Sequence, residues 1–294
     1  MTPLPEKLFL GVGAMKAGTT WMYQVLNSHP DIYFSPEKEI HYFAHVYVPD
    51  ETLLSDEARL ARAKVHAAID PQRNAARGAR ARLLWTANYL ASPIDDNWYR
   101  NLFAYRGRQT WCADFSNLTC FLDEGAWARV RSGVKELRVI YTMRDPVKRL
   151  WSHAKFHAQF TGAEDKIGQW TPEELEDFVR RPFMWKNTEY GTTVRRLKAS
   201  LPEEERRFHF FEEVHKDQRG WLREVEDFLG VAHHDYADAL LGKRVNESVS
   251  APMPDWFPGL VRDDVERIRD ELITEGLEPP ESWMDHYKRR GAAA

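Results

Sequence analysis

Cysteine is scarce in this sequence, and long apolar runs are absent. The two cysteines, Cys112 and Cys120, are too few for the disulfide framework of a small secreted domain. No apolar run approaches the roughly 18 residues that a membrane-spanning helix needs. The opening residues MTPLPEKLFL lack the charged and apolar segments of a signal peptide. We therefore expect a soluble cytoplasmic protein with no membrane partner.

An excess of positive charge is missing as well. The chain has 41 Lys and Arg against 45 Asp and Glu, a formal net charge of -4, whereas non-specific nucleic-acid binding depends on a basic excess. We expect no nucleic-acid partner, and we expect the basic residues between positions 59 and 82 to form a solvated helical face. His153 and His157 lie four residues apart but lack the further ligands of a metal site, so we expect no metal.

Apolar and aromatic residues are plentiful. The 294 residues are 43% hydrophobic and include 11 Trp, which is typical of a packed globular protein with a large core. Helical periodicity alternates with short apolar runs, a pattern that predicts an α/β fold of three layers, in which helices flank a central, mostly parallel sheet. The predicted strands cover residues 7–13, 109–115, 136–143 and 206–212.

We expect residues 1–294 to form a single domain with two additions. Residues 50–105 are rich in Ala and Arg and have helical periodicity without a strong strand, so they predict a helical insertion over the sheet. Residues 242–258 contain three prolines and little periodicity, which predicts a long loop. Loops of this length in a compact domain are often functional, so we expect this one at the active site.

The stretch GVGAMKAGTTWMYQVL has the form of a strand end, a Gly-rich turn and a helix start. Backbone N–H groups at the positive end of a helix dipole form an anion site, to which Thr19 and Thr20 add hydroxyl donors. The Walker loop of nucleoside-triphosphate enzymes has its lysine directly after the last glycine. Here Thr19 follows Gly18, and the lysine is Lys16. The triphosphate pattern is therefore broken at its most discriminating position.

A second motif, RDPVKRLWS, begins at Arg144 after a predicted strand. Asp145 is placed to cap the following helix, Pro146 occupies its first position, and Ser152 lies about two turns inside it. A guanidinium fork matches a phosphate dianion, and a hydroxyl can complete its coordination. The motif indicates a second phosphate site.

Together, KAGTTW and RDPVKRLWS resemble the K-x-G-T-T-W and R-D-P-x-x-R-x-x-S motifs of sulfotransferases that use 3′-phosphoadenosine 5′-phosphosulfate (PAPS). The resemblance implies that the backbone around Ala17, Gly18, Thr19 and Thr20 cradles the 5′-phosphosulfate and that Lys16 contacts the oxygen from which sulfate leaves. It also implies that Arg144 and Ser152 bind the 3′-phosphate.

Two further residues match the family less specifically. Trp21 corresponds to a tryptophan that lies beside adenine in the small-molecule branch of the family, although core packing explains it equally well. Arg244, in the predicted loop, corresponds to a basic segment that closes over the 3′-phosphate, and a solvated loop is the alternative.

On the acceptor side, DIYFSPEKEIHYF (31–43) resembles the K-E-x-x-F-F region of the branch that sulfates glycans, where a glutamate acts as the base. Glu39 falls on that glutamate. His41 is the competing base because an unperturbed imidazole titrates near neutrality, and two polar loop residues without a role remain an alternative. ADFSN (113–117) loosely matches the E-K-[ST]-P motif of the same branch, but Phe115 replaces the lysine that contacts anionic glycan.

The resemblance implies transfer of a sulfuryl group from PAPS to a hydroxyl or amine, with PAP as the product and without a metal. The missing lysine favours a small-molecule or carrier-bound acceptor, with a saccharide second. A nucleoside-triphosphate-dependent small-molecule kinase and a catalytically silent nucleotide-binding protein remain the alternatives.

Overall fold

A computed structural model describes residues 3–49, 52–69, 76–243, 245 and 251–288. Within these residues the centre of the fold is a parallel sheet with the strand order β2-β3-β1-β4-β5. The strands are β1 (Lys7–Gly11), β2 (Ile32–Phe34), β3 (Trp111–Asp114), β4 (Glu136–Met143) and β5 (Arg206–Phe210).

Helices connect and cover the strands on both faces. The α-helices are α1 (Thr19–Leu26), α2 (Tyr42–Tyr47), α3 (Asp56–Ala67), α4 (Ala76–Leu90), α5 (Asp96–Asn101), α6 (Glu124–Ser132), α7 (Pro146–Phe160), α8 (Pro172–Arg180), α9 (Pro182–Trp185), α10 (Tyr190–Ser200), α11 (Phe211–Lys216), α12 (Gln218–Leu229), α13 (Asp238–Leu241), α14 (Phe257–Leu260), α15 (Arg262–Thr274) and α16 (Asp285–Lys288). Single 3₁₀ turns cover Asn117–Phe121, Glu164–Lys166, Lys186–Thr188, Glu203–Glu205 and Glu281–Met284.

The central strands β1 and β4 are mostly apolar because both faces of the sheet are buried. In β1, Leu8 and Leu10 belong to the apolar core on one face, whereas Phe9 between them belongs to the core on the other. Helix α1 packs on the Phe9 face through Met22, and α10 packs on the opposite face through Val194. The predicted three-layer α/β fold with its parallel sheet is confirmed.

Strand β2 was not predicted from the sequence. It has only three residues, at the edge of the sheet, where it pairs in parallel with the residues from Trp111 to Ala113. So short a strand shows no periodicity of its own. It places the segment that begins at Ser35 beside the end of β3, which positions one side of the functional site.

The described part of residues 50–105 consists of α3, α4, α5 and their connections. One expectation for this region is wrong. Arg59 does not belong to a solvated basic face: it is buried, and its Nη1 donates to the backbone oxygens of Tyr89 and Ala91 at 3.1 and 2.9 Å. The last backbone oxygens of a helix have no partner within that helix, so those at the end of α4 can accept hydrogen bonds from this guanidinium. These bonds fix α3 against α4.

Parallel strands place their carboxyl ends at one edge of the sheet, and α1 and α7 begin there. Asp145 caps α7 by accepting hydrogen bonds from the N–H groups of Val147 and Lys148, with Pro146 at the first position, as predicted. Both helices therefore direct their positive ends to the same edge. In the described part of the chain, no helix is long and apolar enough to cross a membrane.

Candidate active site

A cleft of about 1470 Å³ opens at this edge of the sheet. It gathers residues that the sequence analysis selected from three separate stretches of the chain. These lining residues are Lys16, Gly18, Thr19, Thr20, Trp21, Glu39, His41, Arg144 and Ser152. Ala17 lies beneath the cleft, fully buried, and its N–H donates to the backbone oxygen of Ala14. Arg244 lies outside the described residues, although its neighbours Lys243 and Val245 line the cleft.

The turn before α1 needs a glycine at position 18. Gly18 has a φ of 84°, and a Cβ at this position would lie 2.8 Å from the ring of Phe211, so glycine is required twice over. Thr19 and Thr20 follow as the first residues of α1, at the end of the helix toward which its backbone N–H groups point. The turn thus presents hydroxyl groups and the positive end of a helix to the cleft.

Lys16 is the cation at the centre of the turn. Its Nζ lies 4.4 Å from the ring centroid of Phe156. Burial, together with the charges of Arg144, Lys155 and Lys38, lowers the pKa of Lys16 to about 8. Several cations held close together and away from water repel each other, so an anion bound among them would be strongly stabilised.

Arg144 joins the two phosphate motifs. Its Nη1 donates to the backbone oxygen of Lys16 at 2.9 Å, and its guanidinium lies 4.5 Å from the ring centroid of Phe211. Tyr190 fixes the backbone by donating from its hydroxyl to the Arg144 oxygen at 2.8 Å. Among the described residues, the buried Nε of Arg144 has no hydrogen-bond partner. With half-buried Ser152 on α7 beside the same cleft, this donor fits a phosphate.

Glu39 occupies the opposite wall. Its Oε2 accepts a hydrogen bond from the backbone N–H of Asn117 at 2.8 Å, and its Oε1 lies 2.5 Å from Nζ of Lys38. Burial raises the pKa of Glu39, but Lys38, His41 and the hydrogen bonds outweigh it and leave that pKa below its ordinary value. The carboxylate is therefore ionised at neutral pH.

His41 lies beside this carboxylate, with its Nε2 3.8 Å from Oε2 of Glu39. The His41 side chain is 6% exposed, against 27% for Glu39, so Glu39 is the more accessible of the two from the cleft. Arg62, another member of the expected solvated face, instead lines the cleft and donates to the backbone oxygen of Glu39 at 3.2 Å.

Backbone strain singles out the same residues. Among the described residues, the non-glycine positions with a positive φ are Lys16 at 69°, Glu39 at 62° and His41 at 60°. L-residues adopt this left-handed region at a cost, and such outliers cluster at functional sites. The three residues that the sequence analysis selected as catalytic are the ones that the fold holds in this conformation.

Several residues that line the cleft were not predicted from the sequence as site residues. Lys155 and Phe156 follow Ser152 by three and four positions on α7, so helical spacing could have placed them on the same face. Phe211 and His215 come from α11, and no motif points to them. His215 lies 3.9 Å from Phe211 between ring centroids, and burial lowers the pKa of its imidazole.

Trp21 is mainly a core residue in this structure. Its indole N–H donates to the backbone oxygen of Leu241 at 3.1 Å, and its ring packs against Trp221 and His215. Only 5% of its surface is exposed, although that surface borders the cleft. No group of three or more His, Cys, Asp or Glu in the described ranges could hold a metal ion.

Comparison with solved structures shows where this fold occurs. It is similar to that of a sulfotransferase from Alicyclobacillus acidocaldarius, with 21% identity over 95% of this chain and 98% of that one, at a TM-score of 0.63. A sulfotransferase domain from the curacin biosynthetic pathway gives 15% identity, with coverage of 94% and 99% and a TM-score of 0.52. A sulfotransferase domain from the Synechococcus PCC 7002 olefin synthase gives 15% identity, with coverage of 95% and 97% and a TM-score of 0.50.

No curated protein matches the sequence significantly. The family model of the Sulfotransferase family, in contrast, matches residues 9–235, which is well over half of the chain and includes both phosphate motifs. The chain therefore belongs to the sulfotransferase family.

Proposed function

We propose that this protein transfers the sulfuryl group of PAPS to a hydroxyl or amine of an acceptor and releases PAP. One observation carries the proposal: the hydrogen bond of 2.9 Å from Arg144 to the backbone oxygen of Lys16 joins two motifs 128 positions apart in one cleft. Two adjacent anion sites fit a nucleotide with phosphate at both the 5′ and the 3′ position of its ribose. ADP and ATP lack the second of these phosphates.

On the nucleotide side, Gly18, Thr19 and Thr20 would hold the 5′-phosphosulfate at the start of α1. Ala17 shapes the turn but uses its own N–H on Ala14. Arg144 and Ser152 would hold the 3′-phosphate, and the residual exposed edge of Trp21 is the proposed contact for adenine. Bound PAPS would supply a sulfuryl group attached to a phosphate oxygen. The phosphate is the leaving group and departs as an anion.

On the acceptor side, Glu39 is the proposed base. Its carboxylate takes the proton of the acceptor hydroxyl or amine while the lone pair of that oxygen or nitrogen forms a bond to sulfur. The bond between sulfur and the bridging oxygen breaks, and its electron pair leaves with the phosphate beside the Lys16 ammonium. His41, 3.8 Å from Glu39, is the alternative proton acceptor.

A small-molecule or carrier-bound acceptor is favoured, with a saccharide second. Phe115, where the glycan branch has a lysine, is 1% exposed and packs edge-on against Phe9 and Phe34. No cation at that position can contact an anionic glycan. The cleft wall near Lys16 is instead formed by Phe156 and the exposed Phe160, which suits an acceptor with an apolar body.

Transfer of ³⁵S-labelled sulfate from PAPS into a small-metabolite extract tests the proposal. We expect label in products of defined mass with the wild-type protein and a loss of label with Lys16→Ala. Incorporation of label from [γ-³²P]ATP but not from PAPS would identify a kinase. PAP binding without transfer of either label would identify a silent binding protein. Either outcome would overturn the proposal.

A further inference from the structure

The segment that contains Glu39 and His41 is held by a second loop, the residues that follow β3. Glu39 donates from its backbone N–H to the oxygen of Phe115 at 3.2 Å, and the Asn117 N–H donates to the Glu39 carboxylate at 2.8 Å. Between these two contacts, the His41 N–H donates to Oγ of Ser116 at 3.0 Å. The catalytic segment is thus fixed at successive points by one short stretch of chain.

Ser116 contributes its side-chain oxygen to these contacts, and Asp114 fixes the orientation of the Ser116 hydroxyl. It is 1% exposed, and its hydroxyl donates to Oδ1 of Asp114 at 2.6 Å. Because that donation fixes the hydroxyl rotor, an oxygen lone pair is directed at the His41 N–H. Ser116 can therefore accept from His41 in one orientation only.

Asp114 is oriented in turn by the helical region. It is 3% exposed, and its Oδ2 accepts a hydrogen bond from the hydroxyl of Tyr99 on α5 at 3.1 Å. Tyr99 is fully buried and stacks on Tyr42, the residue after His41, with ring centroids 4.7 Å apart. The hydrogen bonds and the ring stack thus form a closed loop of contacts around His41.

We infer that Ser116, oriented by Asp114, is a positioning residue for sulfuryl transfer: it holds the Glu39–His41 segment in its left-handed conformation and so directs the Glu39 carboxylate into the cleft. This inference rests on the proposed function. Without the contact from Ser116, the segment relaxes toward the ordinary regions of φ and ψ, because L-residues at Glu39 and His41 do not favour φ values of 62° and 60°. The base then leaves the line of proton transfer.

The test compares Ser116→Ala with Ser35→Ala in ³⁵S transfer from PAPS into the small-metabolite extract. Ser35 is a matched control because it is also 1% exposed, and its hydroxyl has no hydrogen-bond partner among the described residues. We expect Ser116→Ala to lower kcat about 10- to 100-fold, the range for a misplaced catalytic group. The KM for PAPS and the calorimetric Kd for PAP should stay within about twofold of wild type, since the nucleotide side does not use Ser116.

Asp114→Asn provides the conservative variant. Its amide oxygen can still accept from Ser116, and the Tyr99 hydroxyl can rotate to accept from the amide nitrogen. We expect it to retain at least about a third of the wild-type kcat, because hydrogen-bond geometry rather than charge is what Ser116 needs from it. If Ser116→Ala does not fold, Ser116→Cys makes the same test, since its thiol fills the space but accepts hydrogen bonds weakly.

Two results would overturn the inference. One is a kcat for Ser116→Ala equal to that of Ser35→Ala. The other is a loss of PAP affinity in proportion to the loss of kcat, which would indicate a general structural effect. Failure of the proposed function is distinguishable, because then the wild-type protein itself would transfer no sulfate.

Discussion

On one side of the cleft, Lys16 and Arg144 lie directly before two helices that follow the adjacent strands β1 and β4. On the other side, Glu39 and His41 lie in a loop between the edge strand β2 and helix α2. The turn before α1 and the cap of α7 shape the backbone of the first pair locally, and the hydrogen bond from Arg144 to Lys16 then joins the two motifs. The second pair depends on hydrogen bonds to residues about 75 positions away. The nucleotide side should therefore tolerate changes on the acceptor side, and each side can be altered alone.

The largest effect is expected for Lys16→Ala. Removing the ammonium leaves the developing charge on the departing phosphate without its nearest cation, so kcat should fall about 10²- to 10³-fold. Steady-state ³⁵S transfer measures this loss. Lys135→Ala, which removes a surface lysine that is 62% exposed, is the control and should behave as wild type. Equal activity of the two variants would contradict the role of Lys16.

Glu39→Gln tests the acceptor side. The amide keeps the size of the side chain but cannot take a proton, so kcat should fall about 10²-fold while the Kd for PAP stays the same. The measurement pairs ³⁵S transfer with calorimetry. If His41→Ala abolishes transfer and Glu39→Gln does not, the imidazole is the base and Glu39 orients it.

Arg144→Lys should act only on the nucleotide side. A lysine retains one charge but loses the planar fork, and losing a charge-assisted hydrogen bond costs about 1.5–3 kcal/mol. We expect PAP to bind about 10- to 100-fold more weakly, while the affinity for ADP changes little. A parallel loss for both nucleotides, measured by calorimetry, would show that Arg144 does not contact a 3′-phosphate.

The pH dependence should separate the two sides. As the pH rises through about 8, Lys16 of the free protein loses its proton, so kcat/KM for PAPS should fall up to tenfold per pH unit. Bound phosphosulfate favours the charged lysine, so the alkaline limb of kcat should lie higher. Lys16→Arg should remove this limb, because a guanidinium stays protonated.

The acid limb reports the base. Because the pKa of Glu39 lies below its ordinary value, activity should fall only as the pH drops below the usual carboxylate range. An acid limb near neutrality would instead indicate an imidazole as the base.

The nucleotide side of the cleft could be predicted from the sequence more fully than the acceptor side, because its features are local. The turn before α1 and the cap of α7 are local features, since Gly18, Asp145 and Pro146 act on their immediate neighbours. The contacts that hold Glu39 come from backbone atoms of Phe115 and Asn117, and any residue type supplies a backbone oxygen. Such partners leave no trace in a sequence pattern.

The type of side chain at a position can therefore be a poor guide to what that position does in the fold. Phe115 differs in side chain from the lysine of the E-K-[ST]-P motif, yet its backbone oxygen and the backbone N–H of Asn117 hold Glu39 in place. Arg59 belongs by composition to a solvated basic face, but three-dimensional packing buries it against the end of α4. Long-range packing decided both positions, whereas the phosphate motifs were set by their local turn and cap chemistry.

The central claim is that the cleft binds a nucleotide through two phosphate sites. Isothermal titration calorimetry of the wild-type protein with PAP and with ADP tests it most directly. We predict that PAP binds at least about tenfold more tightly than ADP, because only PAP places a phosphate at Arg144 and Ser152. Equal affinities for PAP and ADP would contradict the claim.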